Sequence, residues 1–212
     1  CDADTGYGNP VNVYRTVREY ESAGAAALHI EDQVWPKRCG FLAGKQVIPL
    51  EDMVPKVKAA CDARRNADFV IIARTDALAV NGWGDVNRRT RAYREAGADL
   101  IFVDGIRTLD DLTHYAKMLG DLPLLYNGQL LPVPELKQYG FKVTIAAATL
   151  TAFYVRMRDA MRELQATGTI TGITEPGLFG EMTTLLGVTD TRELGKRHVG
   201  GGDRKAEKGT NR

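Results

Sequence analysis

Phe69-Val70-Ile71-Ile72-Ala73-Arg74-Thr75-Asp76 is an apolar run that stops abruptly in an arginine, a threonine and an aspartate. It lacks the polar alternation of a half-solvated strand, so it predicts a strand covered on both faces, as in a parallel sheet. The same pattern recurs along the chain. Ala26-Ala27-Leu28-His29-Ile30 ends in Glu31-Asp32, Leu100-Ile101-Phe102-Val103 in Asp104-Gly105, and Pro123-Leu124-Leu125-Tyr126 in Asn127-Gly128. Lys142-Val143-Thr144-Ile145 runs into three alanines, and Cys1-Asp2-Ala3-Asp4 has the form of a strand end. Residues 11–23, 50–66, 84–96 and 109–119, between these runs, carry apolar residues at helical spacing. Gly24 and Gly97 close two near-identical helix-to-strand junctions, Glu21-Ser22-Ala23-Gly24-Ala25 and Arg94-Glu95-Ala96-Gly97-Ala98. Strand and helix in alternation specify an α/β protein with right-handed crossovers.

An open doubly wound sheet and a closed barrel both satisfy that alternation. An open sheet gathers its active groups at one switch point, whereas a barrel collects them from successive strand ends at one mouth. Glu31, Asp32, Arg74, Asp76, Asp104 and Asn127 all stand at strand C-termini, which favours a (β/α)8 TIM-type barrel. The strand ends number six against the eight such a barrel needs. The expectation is therefore that the first two βα units are missing from this chain. Residues 1–148 would supply barrel units three to eight with the active site. Residues 149–190 would form a C-terminal helical segment. Residues 191–212, rich in glycine and charge toward the end, would form a disordered tail.

The chain has 212 residues, 44% of them hydrophobic, enough for a well-packed domain. A formal net charge of +1 offers no basic field for nucleic acid. No apolar run reaches membrane-span length. Three cysteines without paired spacing argue against a disulfide scaffold and for a reducing, cytoplasmic setting.

Chemistry concentrates in a few places. Asp2 and Asp4, two apart, would share one face of a strand and suit a hard divalent cation. Glu31 and Asp32 cannot both face inward on a regular strand, and Glu31 is expected to be the inward one. Arg74 is a fixed cationic fork suited to a carboxylate. In Trp35-Pro36-Lys37-Arg38-Cys39-Gly40, two cations beside Cys39 favour its thiolate and make it a candidate acid, base or nucleophile. Gly6 and Gly8, around Tyr7, would let backbone approach a ligand. His29, inside an apolar run, is expected to be a hydrogen-bonded core or interface residue and not a catalyst, and Cys61 to serve packing.

Taken together, Cys-Asp-Ala-Asp-Thr-Gly-Tyr-Gly-Asn, Leu-His-Ile-Glu-Asp-Gln, Pro-Lys-Arg-Cys-Gly and Ile-Ala-Arg-Thr-Asp-Ala resemble the isocitrate lyase/phosphoenolpyruvate mutase superfamily. Within it they are most like the methylisocitrate lyase and dimethylmalate lyase branch. The resemblance implies a (β/α)8 barrel with Mg2+, or Mn2+ in its place, at the mouth. It implies that Asp2, Asp4 and Glu31 hold the metal and that Arg74, Asn127, Gly40 and Tyr7 bind substrate. Residues 37–40 would form a mobile gating loop in which Lys37 and Arg38 support Cys39 as general acid. It further implies a homotetramer with swapped C-terminal helices.

The implied activity is Mg2+-dependent cleavage of a carbon–carbon bond in a 2-hydroxy di- or tricarboxylate, giving a 2-oxo acid and a carboxylate. Within the superfamily the alternatives are an oxaloacetate hydrolase or decarboxylase and a carboxyphosphonate phosphonomutase; outside enzymes, a non-catalytic carboxylate-binding barrel. Three departures from the branch stand out. Phe41 replaces the usual His, Asp104 replaces a Glu, and Asn127-Gly128-Gln129-Leu130-Leu131-Pro132 replaces an Asn-x-x-Glu-Gly-x-Thr-Pro segment. The two leucines point to a smaller or more apolar substrate than methylisocitrate.

Overall fold

The computed structural model describes residues 1–40, 42–171 and 176–199. Five strands, β1 (Ala27–Glu31), β2 (Val70–Thr75), β3 (Leu100–Val103), β4 (Leu124–Asn127) and β5 (Phe141–Ile145), form one sheet. Their order is β1-β2-β3-β4-β5 and every pairing is parallel. Asp2 extends the same series through a parallel bridge to His29. Strand order thus advances in one direction without reversal, which is the progression of a barrel wall and not of a doubly wound sheet.

The intervening helices are α1 (Pro10–Ser22), α2 (Leu50–Ala63), α3 (Leu78–Asn81), α4 (Trp83–Glu95), α5 (Leu109–Leu119) and α6 (Val133–Gln138). Local chemistry sets their starts. Asn9 and Asn12 form a reciprocal capping box ahead of Pro10, and Thr108 and Asp111 do the same for α5.

Side chains alternate across each strand, and the two faces differ. Leu28, Ile30, Ile71, Ala73, Ile101, Val103, Leu124 and Tyr126 are buried with the helices in the principal core. The opposite face carries a small apolar layer of Ile72, Phe102 and Leu125, flanked by Ala27, Val70, Leu100 and Ile145. Two residues further along the same face stand Glu31 and Arg74, Cα partners in the register, then Asp104 just past β3 and Asn127 at the end of β4. The apolar layer therefore floors a polar mouth at the strand C-termini.

The chain divides into two units, Cys1–Thr151 and Ala152–Arg212. Beyond the sheet come α7 (Ala148–Thr167), α8 (Leu178–Leu185) and α9 (Val188–Val199). Helices α7 and α8 bury none of their residues. The disordered tail expected over 191–212 needs correction, because α9 continues to Val199. Asp190 in its first turn and Lys196, Arg197 and His198 in its last complement the helix dipole, and Lys196 pairs with Glu193 at 2.7 Å. Residues 200–212, and Phe41, lie outside the described residues. No helix among the described residues is long and apolar enough to cross a membrane.

Candidate active site at the strand C-termini

The first charged group at the mouth gathers around Lys37. Its Nζ lies 2.9 Å from Asp4, 3.5 Å from Asp2 and 3.6 Å from Glu31. These are the three carboxylates expected to act as metal ligands, so the fold brings all three to one focus. The route differs from the expected one for Asp4. The chain has already turned there, with φ +48°, and the Asp4 amide donates to Asp2 Oδ1 at 2.9 Å. A turn, not strand periodicity, aims Asp4 at the focus.

His29 also corrects the sequence reading. Its Nε2 lies 3.1 Å from Asp2 Oδ1. Ligand atoms of Asp2, His29 and Glu31 all fall within 4.8 Å of one another, a spacing that could hold a metal ion. The His29 contact is the main reason the Asp2 carboxyl is held well below the usual carboxylate range. Glu31 is different. It is fully buried and no hydrogen bond reaches either oxygen. Burial raises its pKa to about 7, with the charges of Arg74 and Lys37 acting in the opposite direction. Burial also works against the Lys37 ammonium, but Asp4, Glu31 and Asp2 outweigh it and raise its pKa.

The second group gathers around Arg74, which is buried at the end of β2. Its Nε and Nη2 make a two-point contact with Asp76 at 2.9 and 3.0 Å. Nε also lies 3.2 Å from Glu31 and Nη2 3.4 Å from Asp104. The sequence reading missed a second cation here. Lys45 is buried, and its Nζ donates to the Gly40 carbonyl at 2.8 Å, to Asp76 at 3.0 Å and to Asp104 at 3.4 Å. Only its separation from the Lys-Arg-Cys-Gly segment by a few residues could have hinted at this.

The loop between β1 and α2 carries both lysines. Gln33 pairs with Val47 across an antiparallel bridge, and the Val34 amide donates to the Gln46 carbonyl at 2.9 Å, pinching the loop at its base. The Gln33 side chain both accepts from the Arg38 amide and donates to the Arg38 carbonyl, each at 2.9 Å. The Arg38 guanidinium donates to the Ala43 carbonyl inside the loop at 3.2 Å. The two cations expected to flank the Cys39 thiol are therefore directed elsewhere, Lys37 to the carboxylates and Arg38 to the loop backbone. Cys39 itself is exposed. Gly40 is buried hard against the mouth: a Cβ there would lie 1.8 Å from Asp104 Oδ2 and 2.9 Å from Arg74 Nη2. Only glycine fits.

Two cavities adjoin this arrangement. One of about 440 Å³ is lined by Ile106, Tyr126, Asn127, Gln129, Leu130 and Ala148. The buried Asn127 Oδ1 has no hydrogen-bond partner in the structure. The other, about 410 Å³, is lined by Thr5, Tyr7, Gln33, Trp35 and Lys56. Tyr7 adopts a positive φ of +58°, and its hydroxyl lies 3.1 Å from that of Tyr20. Cys61 is half-buried against the principal core, as expected of a packing residue.

The chain belongs to the phosphoenolpyruvate phosphomutase family, which matches residues 1–165. It is 38% identical to 2,3-dimethylmalate lyase of Eubacterium barkeri over 214 residues, covering 95% of this chain and 72% of that protein. It is 43% identical to 2-methylisocitrate lyase of Aeropyrum pernix over 175 residues, covering 79% of this chain and 56% of that enzyme. Among solved structures, that of a 2,3-dimethylmalate lyase of the PEP mutase/isocitrate lyase superfamily superposes with a TM-score of 0.81 at 35% identity. It covers 97% of this chain and 70% of that one. Oxaloacetate acetylhydrolase with 3,3-difluorooxalacetate gives a TM-score of 0.79 at 36% identity, over 92% and 69% of the two chains. Phosphonopyruvate hydrolase with oxalate and Mg2+ gives 0.78 at 30%, over 93% and 71%. The expected superfamily and barrel fold are borne out, and the chain spans between about half and three quarters of these proteins' lengths.

Proposed function

We propose that this chain carries the active site of a Mg2+-dependent carbon–carbon lyase. It would cleave a 2-hydroxy dicarboxylate of the dimethylmalate type into a 2-oxo acid and a second carboxylate. The observation that carries this reading is the seating of the Lys37–Gly40 segment over the mouth, with Lys37 among three carboxylates and Gly40 against Asp104 and Arg74. Likeness to two named lyases supports it.

The residues fit a divalent ion. Asp2, Asp4 and Glu31 already converge on a cation, and the buried Glu31 oxygens lack hydrogen bonds. An oxygen-rich donor set of this kind suits Mg2+ or Mn2+, with His29 beside it. When bound, the ion would neutralise charge on the substrate's carboxylate and 2-oxygen as the 2-oxo acid forms.

The protein groups would do the rest. Arg74, preset by its carboxylate partners, presents a fixed positive charge at the mouth. Asn127, with a free buried acceptor, and Tyr7 line the flanking cavities and would orient the substrate. A mouth carboxylate such as Asp104, against Gly40, would take the 2-hydroxyl proton as the carbon–carbon bond breaks, leaving the electron pair on the departing carbon. Cys39, with Lys37 and Arg38 as its loop neighbours, would return a proton to that carbon. Lys45, bonded to the Gly40 carbonyl, would keep this part of the loop over the mouth and so limit the entry of water. Leu130 on the 440 Å³ cavity favours a compact, apolar-substituted substrate.

The same reading makes the whole protein a cytoplasmic homotetramer. The exposed Phe153, Tyr154 and Met157 of α7 and Phe179 and Leu185 of α8 support partner helices there. A second reading, hydrolysis or decarboxylation of oxaloacetate, is favoured by the superposition on oxaloacetate acetylhydrolase, whose TM-score of 0.79 is close to the 0.81 of the lyase. The deciding assay offers 2-hydroxy dicarboxylates and oxaloacetate with Mg2+, and scores 2-oxo acid, oxalate and CO2. A 2-oxo acid made by the parent and lost in Cys39→Ser supports the lyase. Oxalate or CO2 from oxaloacetate alone supports the second reading, and silence on every substrate leaves a carboxylate-binding barrel.

A further inference from the structure

We infer that Lys37 is the resident counter-cation of the carboxylate focus, so that a divalent ion and the Lys37 ammonium occupy it in turn. Loading the metal then expels Lys37 and frees the 35–37 limb of the loop that carries Cys39. The inference rests on the proposed metal site and concerns how that site is filled.

The geometry is that of a cation site satisfied by a side chain. Three carboxylates from the opening segment and β1 surround one ammonium at 2.9 to 3.6 Å. One of them, Glu31, is wholly buried and has no hydrogen bond, and among the described residues its ion pairs are with Lys37 and with Arg74 at 3.2 Å. Carboxylates this close together are favoured by a positive charge placed among them. With Lys37 in place that charge is present. With a divalent ion in place, Lys37 would face a like charge across the same oxygens and lose its reason to stay.

The loop is built to convert that exchange into movement at one end. Lys45 holds the far end through Gly40, Asp76 and Asp104, and none of its hydrogen bonds involves the three focus carboxylates. Gln33 grips Arg38 by both its amide and its carbonyl. Just ahead of these fixed points, Lys37 is the contact a metal would contest, at the end of the limb that begins at Val34. The loop therefore has two standing anchors, at Arg38 and Gly40, and one exchangeable anchor at Lys37.

The test uses the full chain and Mn2+. Free Mn2+ is counted by its EPR signal for the parent, Lys37→Gln and Asp2→Asn, each checked for folding by circular dichroism. Fluorescence is followed in a Trp83→Phe background, where Trp35, two residues before Lys37, is the remaining tryptophan. Lys37→Gln should bind Mn2+ at least about tenfold tighter than the parent, because the competitor is gone. Mn2+ should also change Trp35 emission in the Trp83→Phe protein. In the parent it should speed tryptic cleavage after Lys37 by about threefold or more, as expected of a freed loop segment. Equal or weaker binding by a folded Lys37→Gln, beside a parent that binds, would overturn the inference while leaving the metal site intact. Absence of binding in both proteins would overturn the metal site itself. Should Lys37→Gln not fold, the parent decides alone: cleavage unchanged or slowed by Mn2+ overturns the exchange.

Discussion

Glu31 and Asp32 are neighbours in sequence and both are shut off from solvent, yet they belong to regions with opposite electrostatics. Asp32 faces the helices. Its carboxylate accepts from the Thr75 hydroxyl at 2.7 Å, the Asp76 amide at 2.9 Å, the Tyr93 hydroxyl at 2.7 Å and Arg89 at 3.2 Å. Glu31 faces the mouth and accepts no hydrogen bond. Burial pushes the pKa of both upward, but for Asp32 the bonds from Asp76, Tyr93 and Thr75 are set against it. A saturated buried carboxylate ties β1, β2 and α4 together. An unsaturated one is held ready for a cation.

The sharpest way to break this contrast is Asp32→Ala. It strands Tyr93, Thr75 and Arg89 without their acceptor and should cost about 3–5 kcal/mol in chemical denaturation. A loss below 1 kcal/mol would mean the network is not structural. At the mouth, Gly40→Ala should fold but lose about 100-fold in kcat/KM, about 2.7 kcal/mol, since the new methyl meets Asp104. An unimpaired Ala variant would show that the loop does not seat there during turnover. Lys45→Met leaves Asp76 and Asp104 short of a buried partner. It should cost about 2–3 kcal/mol and speed proteolysis of the loop, as measured by denaturation and trypsin. The smallest effect belongs to Glu31→Gln. A buried carboxylate whose pKa is raised to about 7 is penalised when ionised, so at pH 8 the metal-free variant should gain about 1–2 kcal/mol. Its Mn2+ binding should disappear, and a variant both less stable and still metal-binding would erase the distinction between the two carboxylates.

Much of this arrangement was legible in the residues. Each apolar run became a parallel strand within a residue or two of its expected start, because burial on both faces leaves a continuous signature. Period-two alternation placed Glu31 inward and Asp32 outward, and the strand-end polar groups do gather at one mouth. What stayed hidden depended on distant pairing. His29 looked like a core residue because its ion-pair partner, Asp2, comes from a segment 27 positions away that bridges to it. Lys45 looked like any loop lysine, since nothing local reveals that Gln33 and Val47 pair and turn it inward. Asp4 was expected on a strand face, whereas a positive-φ turn delivers it. The helix to Val199 was obscured by the glycine-rich run that follows it.

The pinched base of the β1–α2 loop has a consequence for how such a protein can change over generations. The chain leaves the body at Gln33 and returns at Val47, and the two ends bond to each other. The segment between them is thus a cassette closed at its own base. Positions other than Lys37, Gly40 and Lys45 can be rewritten, or the whole piece exchanged with a homologue's that keeps those contacts, without re-registering β1 or re-aiming α2. Reaction chemistry can diversify in that cassette while the barrel wall is inherited unchanged.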